Sequence, residues 1–379
     1  MKLIEKMTFD EKTGQLYIIG INGTEVNDYI REVITEWKVG GIVFSIRNME
    51  NPFQVREFIQ SMQRLSMKEN GIPLIIAVNQ EGGDRTTFLE SLSRNPGNMA
   101  IGATHNPRWA YEVAKLIGME LRALGFNMMF TPDLDINIDA TNPGCGIRSF
   151  GDQPELVAAM GEQYIKGQID AKIASTAKHF PGKGDSNIDA HFDLPDIPHS
   201  VDRLEKVELV PFKKAVQTDV AAIMTSHVRY SAIDKNAIGT FSRTINTELA
   251  REKCDFNNVI ITDAFGMKGL TNYYSMGESA VQVILAGGDM ILKRHGRTSH
   301  LEILNALRNA VRENRISDDR LNLSLRRIFT LKKKYCSAKL PEIDVALWNK
   351  ENIKKLETLC ENSVTLLRNE EKLLPLKLE

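Results

Sequence analysis

The stretch NVIITDAFGM, residues 258–267, decides the fold. Four β-branched residues in succession, Val259 to Thr262, carry no alternation of polar and apolar positions. Such a run suits a strand covered on both faces, as in a parallel sheet. Asp263 and then Gly266 end it. Seven further runs share this character: QLYIIGI (15–21), GIVFSI (41–46), PLIIAVN (73–79), NMMFTP (127–132), IASTAKH (173–179), AAIMTSH (221–227) and GDMILK (288–293). Longer amphipathic segments separate them. Asn106-Pro107 reads as a cap followed by a first-turn proline, and Trp109, Val113, Leu116, Ile117 and Leu121 then fall at helical spacing. Leu301, Leu304, Leu307 and Val311 trace a similar stripe. Eight such alternations predict a TIM-type (β/α)8 barrel over residues 1–335.

Polar residues gather where these strands finish: Asn79-Gln80-Glu81, Asp133 and Asp135, Lys178-His179, His227, Asp263 and Lys293-Arg294. In such a barrel the branched apolar side chains fill the interior, and chemistry sits on the loops at the strands' C-terminal ends. After residue 335 the pattern changes. A charged helical stretch (343–361) leads to NSVTLLRNEEKLLPLKLE, whose VTLL run begins like a strand and then stops, as at the entry to an absent second domain. Residues 336–379 therefore read as a helical linker and the opening of a second α/β domain, and the final Leu378-Glu379 resembles a vector remnant.

Composition narrows the function. Hydrophobic residues make up 42% of the 379, so a large core is available, and 48 basic against 49 acidic side chains leave a net charge of −1. That balance offers no electrostatic ground for a nucleic-acid or membrane partner and points to a small, neutral substrate. Cys145, Cys254, Cys336 and Cys360 lack metal-ligand or CxxC spacing, which favours a reducing compartment. MKLIEKMTFDEKTGQL has no apolar leader core, and no stretch is long and apolar enough to span a bilayer. A cytoplasmic protein is expected, or a secreted one whose leader has been removed. The chain's oligomeric state is not legible.

The densest chemistry lies in KHFPGKGDSNIDAHFDLP, residues 178–195. Asp189 and His191 stand two apart, so in extended chain their side chains share a side. A carboxylate beside an imidazole fixes its tautomer and supports its charged form, as a proton donor requires. Other uses of the loop remain open at this point: a solvated loop, a metal site from Asp185, Asp189, His191 and Asp193, or phosphate binding at Gly182-Lys183-Gly184. The last lacks a GK[ST] ending, and no HExxH or EF-hand spacing supports the metal. Asp263 likewise has two readings, a helix cap or a carboxylate nucleophile for an acetal carbon.

Both segments resemble those of the family 3 β-N-acetylhexosaminidases, whose barrel carries a KH(F)PG loop with an Asp-x-His pair and a later (S/T)D nucleophile. The resemblance extends to MTFDEKTGQL (7–16), GGIVFSIRN (40–48), QEGG (80–83), NPGCGIRSFG (142–151), AIMTSH (222–227) and TLLRNEEKLLPL. It implies a retaining exo-glycosidase that removes terminal β-linked N-acetylglucosamine through a glycosyl-Asp263 intermediate. His191 would be the acid/base and Asp189 its orienting partner. Lys178, His179, Arg148 and Asn79 would bind the sugar. It implies no metal or organic cofactor, and peptidoglycan fragments or chitooligosaccharides as substrates.

The sequence also departs from that family. Asn79 stands where aspartate is usual, Lys183 replaces a histidine, and the arginines after QEGG give way to Asp84 and Thr87, with Arg85 displaced by one place. These changes rewrite the sugar wall more than the reacting groups. They keep three rivals in view: a β-glucosidase or other family 3 glycosidase, transfer to phosphate instead of water, and an inactive sugar-binding barrel. His227, at a strand end, reads either as a substrate contact or as a hydrogen-bonded structural histidine, and Cys145 as a small loop residue rather than a nucleophile.

Overall fold

The computed structural model describes residues 4–87, 92–336, 339–347, 349–370 and 374. Leu378-Glu379 lies outside these. Eight strands, each overlapping one of the apolar runs, form a single parallel sheet: β1 (Tyr17–Gly20), β2 (Gly41–Val43), β3 (Ile75–Val78), β4 (Met128–Met129), β5 (Thr176–Phe180), β6 (Ala222–Thr225), β7 (Val259–Phe265) and β8 (Met290–Lys293). Neighbours in sequence are neighbours in space, and β8 pairs with β1 through Tyr17 and Ile291. The seam between β4 and β5 is closed by isolated parallel bridges at Met128–Ala174 and Asp133–Lys178. Backbone bonds from Met129 to Ala174 (2.9 Å) and from Thr176 to Thr131 (2.8 Å) hold it shut. The expected (β/α)8 barrel is the observed fold.

Helices follow the strands in the expected order: α1 (Asp28–Thr35), α2 (Pro52–Asn70), α3 (Pro107–Leu124), α4 (Pro154–Asp170), α5 (Leu209–Gln217), α6 (Thr244–Lys253), α7 (Met276–Leu285) and α8 (Arg297–Arg312). Two more, α9 (Asp318–Tyr335) and α10 (Lys350–Ser363), come after the barrel strands. The start of α3 is as its sequence predicts. Asn106 Oδ1 accepts from the Arg108 amide, Pro107 opens the helix, and Gly125 closes it in the left-handed region. Val113, Leu116, Ile117 and Leu121 are buried in the hydrophobic core.

Below the barrel, Asp289 collects Arg251 of α6 (2.6 Å), and Ser324 (2.7 Å) and Arg327 (3.1 Å) of α9, while accepting the Ile260 amide. This buried cluster fixes the N-terminal ends of β7 and β8, and with them the placement of Asp263 above. Leu356 and Leu359 of α10 are buried, and Lys355 lies 3.6 Å from Glu112 of α3. The strand expected at VTLL does not form. Residues 364–369 have no regular structure, and Val364, Leu366 and Leu367 are exposed. No sheet edge among the described residues offers their backbone groups a partner, and an extended run without one has no ladder to join.

Candidate active site

The floor of the barrel mouth is an ion-pair network carried by three strand ends. After β3 the chain folds into a short antiparallel ribbon, Gln80–Gly82 against Arg85–Thr86. Gly82 has φ +99°, and a Cβ there would fall 1.8 Å from Asn95 Oδ1, so only glycine lets the ribbon close. The ribbon buries Glu81. Arg148 grips it with two bonds, Nε to Oε2 and Nη2 to Oε1, each 2.8 Å. Lys178 Nζ donates to Glu81 Oε1 (2.5 Å) and to Asn79 Oδ1 (2.8 Å). Burial opposes ionisation of Glu81, but Lys178 and Arg148 win and hold it below the usual carboxylate range.

Beside this network His179 Nδ1 donates to the Asp135 carboxylate at Oδ2, 2.7 Å away, and its Nε2 stands 3.8 Å from Asp263 Oδ2. Asp135 also accepts the Lys183 amide (2.8 Å). Burial and the Lys183 ammonium push the His179 imidazole down to about 4, against the pull of Asp135, so it is neutral near pH 7. Asp133, fully buried next to Asp135, is pushed well above the carboxylate range by burial and by that neighbour. Asp263 behaves oppositely. Burial would raise it, yet His179, Lys183 and His227 outweigh burial, and its Oδ1 accepts the Ala264 amide (2.7 Å). It is held as an anion, one-sixth exposed. It does not cap a helix: β7 continues through Phe265, and the next helix begins at Lys268.

Asp189 and His191 meet as expected, but not in extended chain. They lie in a turn, where one oxygen, Asp189 Oδ1, accepts both the His191 amide (2.9 Å) and Nδ1 (2.8 Å). An aspartate that bonds the backbone two residues on builds its own turn, and here the same oxygen orients the ring. Nδ1 is thereby the proton-bearing nitrogen towards Asp189, which leaves Nε2 for a ligand. The loop's other acids go elsewhere. Asp185 pairs with His199 (2.7 Å) and Asp193 accepts from Tyr273 (2.7 Å), so the four-ligand metal set weighed from the sequence does not converge. Among the described residues the only tight cluster of metal-ligand types is Asp133, Asp135 and His179, where the Asp135–His179 bond already occupies Nδ1.

A cavity of about 450 Å³ opens over these groups, and Asn79, Arg148, Lys178, His179, Asp189, His191 and Asp263 all line it. His227 does not. It is buried, bonded to Thr240 Oγ1 (2.6 Å) and the Ala264 carbonyl (3.3 Å), and it acts on Asp263 only through its field. Cys145 is buried, and its thiol is pushed well above the usual range by burial and then by Asp135. Glu81, Lys293 and Arg294, which the sequence marks only as polar strand ends, and Lys183, weighed there for phosphate binding, have no role in the site expected from sequence. All but Glu81 line the cavity, and Glu81 organises its floor.

The sequence profile described as the glycosyl hydrolase family 3 N-terminal domain matches residues 8–331. The chain belongs to glycosyl hydrolase family 3. Within the family it is similar to β-hexosaminidase A of Pseudoalteromonas piscicida, with 30% identity over 366 residues, covering 90% of this chain and 61% of that protein. The β-hexosaminidase of Nitrosomonas eutropha is 31% identical over 296 residues, 76% of this chain and 83% of that one. The solved structure of a family 3 β-N-acetylglucosaminidase from Paenibacillus sp. FPU-7 superposes with a TM-score of 0.93 at 40% identity, covering 96% of this chain and 70% of that one. This family 3 chain thus spans about three fifths of the length of its Pseudoalteromonas relative.

Proposed function

We propose that this family 3 barrel is a retaining exo-glycosidase that removes terminal β-linked N-acetylglucosamine or a related N-acetylhexosamine. The β-hexosaminidase and β-N-acetylglucosaminidase names of its relatives support the sugar class. The observation that carries the reaction type is a carboxylate kept ionised, Asp263, in one cavity with an Asp-oriented imidazole, His191.

In the proposed reaction an Asp263 oxygen attacks the anomeric carbon as the bond to the leaving oxygen breaks, and His191 gives that oxygen its proton. A glycosyl ester to Asp263 results. Water, deprotonated by the now neutral His191, then attacks the same carbon from the other face and frees Asp263, so two inversions give net retention. Asp189 holds the ring and fixes its tautomer, with Nδ1 towards Asp189 and Nε2 free for the leaving oxygen. Lys178 and Arg148, held by Glu81, supply hydrogen-bond donors to sugar hydroxyls, with Asn79 beside Lys178. The neutral His179, whose Nδ1 proton goes to Asp135, presents Nε2 as an acceptor 3.8 Å from Asp263. Lys183 adds a field that keeps Asp263 charged but attenuates its basicity.

A trapped intermediate tests this. The protein is incubated with a fluorinated N-acetylhexosamine analogue, digested, and the labelled peptide identified by mass spectrometry. Label on Asp263 is expected, together with loss of more than about a hundredfold in turnover of a nitrophenyl N-acetylglucosaminide by Asp263→Asn at unchanged fold. Label on another carboxylate, or an Asp263→Asn variant within a tenth of full activity, would overturn the assignment.

A further inference from the structure

The rim of the cavity beyond β8 carries charge that the proposed mechanism does not use. Lys293 ends β8, and Arg294 and His295 follow it; all three line the cavity. Among the described residues, no hydrogen bond or ion pair reaches the side chain of Lys293 or Arg294. The acids within electrostatic range are engaged elsewhere. Glu302, which acts on Lys293, accepts the Gly277 amide (3.0 Å), and Glu81, which acts on Arg294, is bonded to Arg148 and Lys178. Asp263, the remaining acid acting on Arg294, is the proposed nucleophile. The other groups acting on His295 are all cationic: Arg47, Arg294 and Lys293.

The backbone is shaped to bring this charge inward. A Cβ on Gly20, at the end of β1, would fall 2.0 Å from the Arg294 carbonyl oxygen, so the missing side chain lets the 294 backbone cross the end of β1. A Cβ on Gly266, three residues after Asp263, would lie 3.0 Å from Lys293 Nζ. The ammonium therefore rests against bare backbone beside the end of β7. An ammonium and a guanidinium, partly withdrawn from water and bonded to no protein anion, make a favourable place for an oxyanion.

We propose that Lys293 and Arg294 form an oxyanion subsite, and that this enzyme selects glycosides bearing a carboxylate, phosphate or sulfate group. This rests on the glycosidase function proposed above and narrows its substrate class. It departs from the neutral substrate that the net charge of −1 suggests. That total averages over the whole surface, whereas selection depends on the local field inside a cleft.

The test compares 4-nitrophenyl N-acetyl-β-glucosaminide with its 6-sulfate and with an analogue carrying a carboxylate on the aryl ring. The expected result, at low ionic strength, is a kcat/KM for at least one anionic substrate about tenfold or more above the neutral one. The difference should sit mainly in KM and shrink as salt is added. In Lys293→Gln/Arg294→Gln the ratio of anionic to neutral should fall towards one, whatever happens to the neutral rate. Arg294→Lys, which keeps the charge, should retain part of the preference. Equal kcat/KM for all three substrates, or a preference that survives the double substitution, overturns the subsite. So does acceleration by inorganic phosphate with no gain for either anionic glycoside, since the ion would then be a free co-reactant. If none of the three is turned over, the glycosidase proposal fails on its own account. Calorimetric binding of the same three glycosides then decides the subsite by the same ratios.

Discussion

Glu81 shows how much one side chain holds in place. Its carboxylate joins Arg148, on the loop after β4, to Lys178 of β5, and all three are largely removed from water. Glu81→Gln would leave two buried cations facing an amide, and breaking a buried pair from one side costs about 3–5 kcal/mol. A lower urea midpoint is expected, together with weaker sugar binding; an unchanged midpoint would mean the network contributes nothing to stability. His191→Ala belongs to the same scale. Loss of a proton donor should slow the glycosylation step severely for alkyl glycosides and only mildly for nitrophenyl ones, because an activated leaving group needs little protonation. Equal losses in pre-steady-state measurements would count against His191 as donor. Site residues within one loop were legible from the sequence because Asp189 and His191 build their own turn. Glu81 was not, since its partners stand 67 and 97 residues away and only barrel closure brings them together. The same holds for Lys293 and Arg294, whose significance lies in the partners they lack.

At the scale of elements, strands were easier to read than what lies between them. A strand buried on both faces writes itself as an uninterrupted apolar run, and α3 carries its own start and stop in Asn106, Pro107 and Gly125. By contrast, nothing local marks α6 as wound with the wider π-type turn, and VTLL has strand composition without an edge to pair with. Helix α9 supplies a test of buried charge. Lys332 is buried, with Nζ donating to Gln15 Oε1 (2.6 Å), and burial brings it down to about 7 from the ordinary 10.5. Between those values the unfolded chain binds a proton that the folded chain does not, so this group makes stability rise with pH across that window. The gain should be about 3–5 kcal/mol. It should be present in the native protein and missing from Lys332→Met when unfolding free energies are compared at pH 7 and 10. Parallel profiles for the two proteins would show that the ammonium is hydrated or paired in solution.

At the scale of the whole molecule, the boundary near residue 335 becomes testable, because α10 lies beyond it yet packs on the barrel. Leu359 is fully buried, and Leu359→Ala should cost about 2–5 kcal/mol in a single cooperative transition shared with the barrel. If residues 336–379 form a separate unit, the barrel transition would be unmoved. The global charge of −1 hides an uneven distribution. Acids and bases cancel in the floor of the cavity, while at its β8 side the bases stand alone.

The interlocked floor has a consequence for how such a scaffold changes over time. Arg148, Glu81 and Lys178 answer to one another, so a lone replacement strands its partners at a cost in stability. Residues 293–295 carry no such obligation and can be exchanged one at a time. Diversification of this scaffold, natural or in the laboratory, should therefore begin at the rim and reach the floor only through simultaneous replacements.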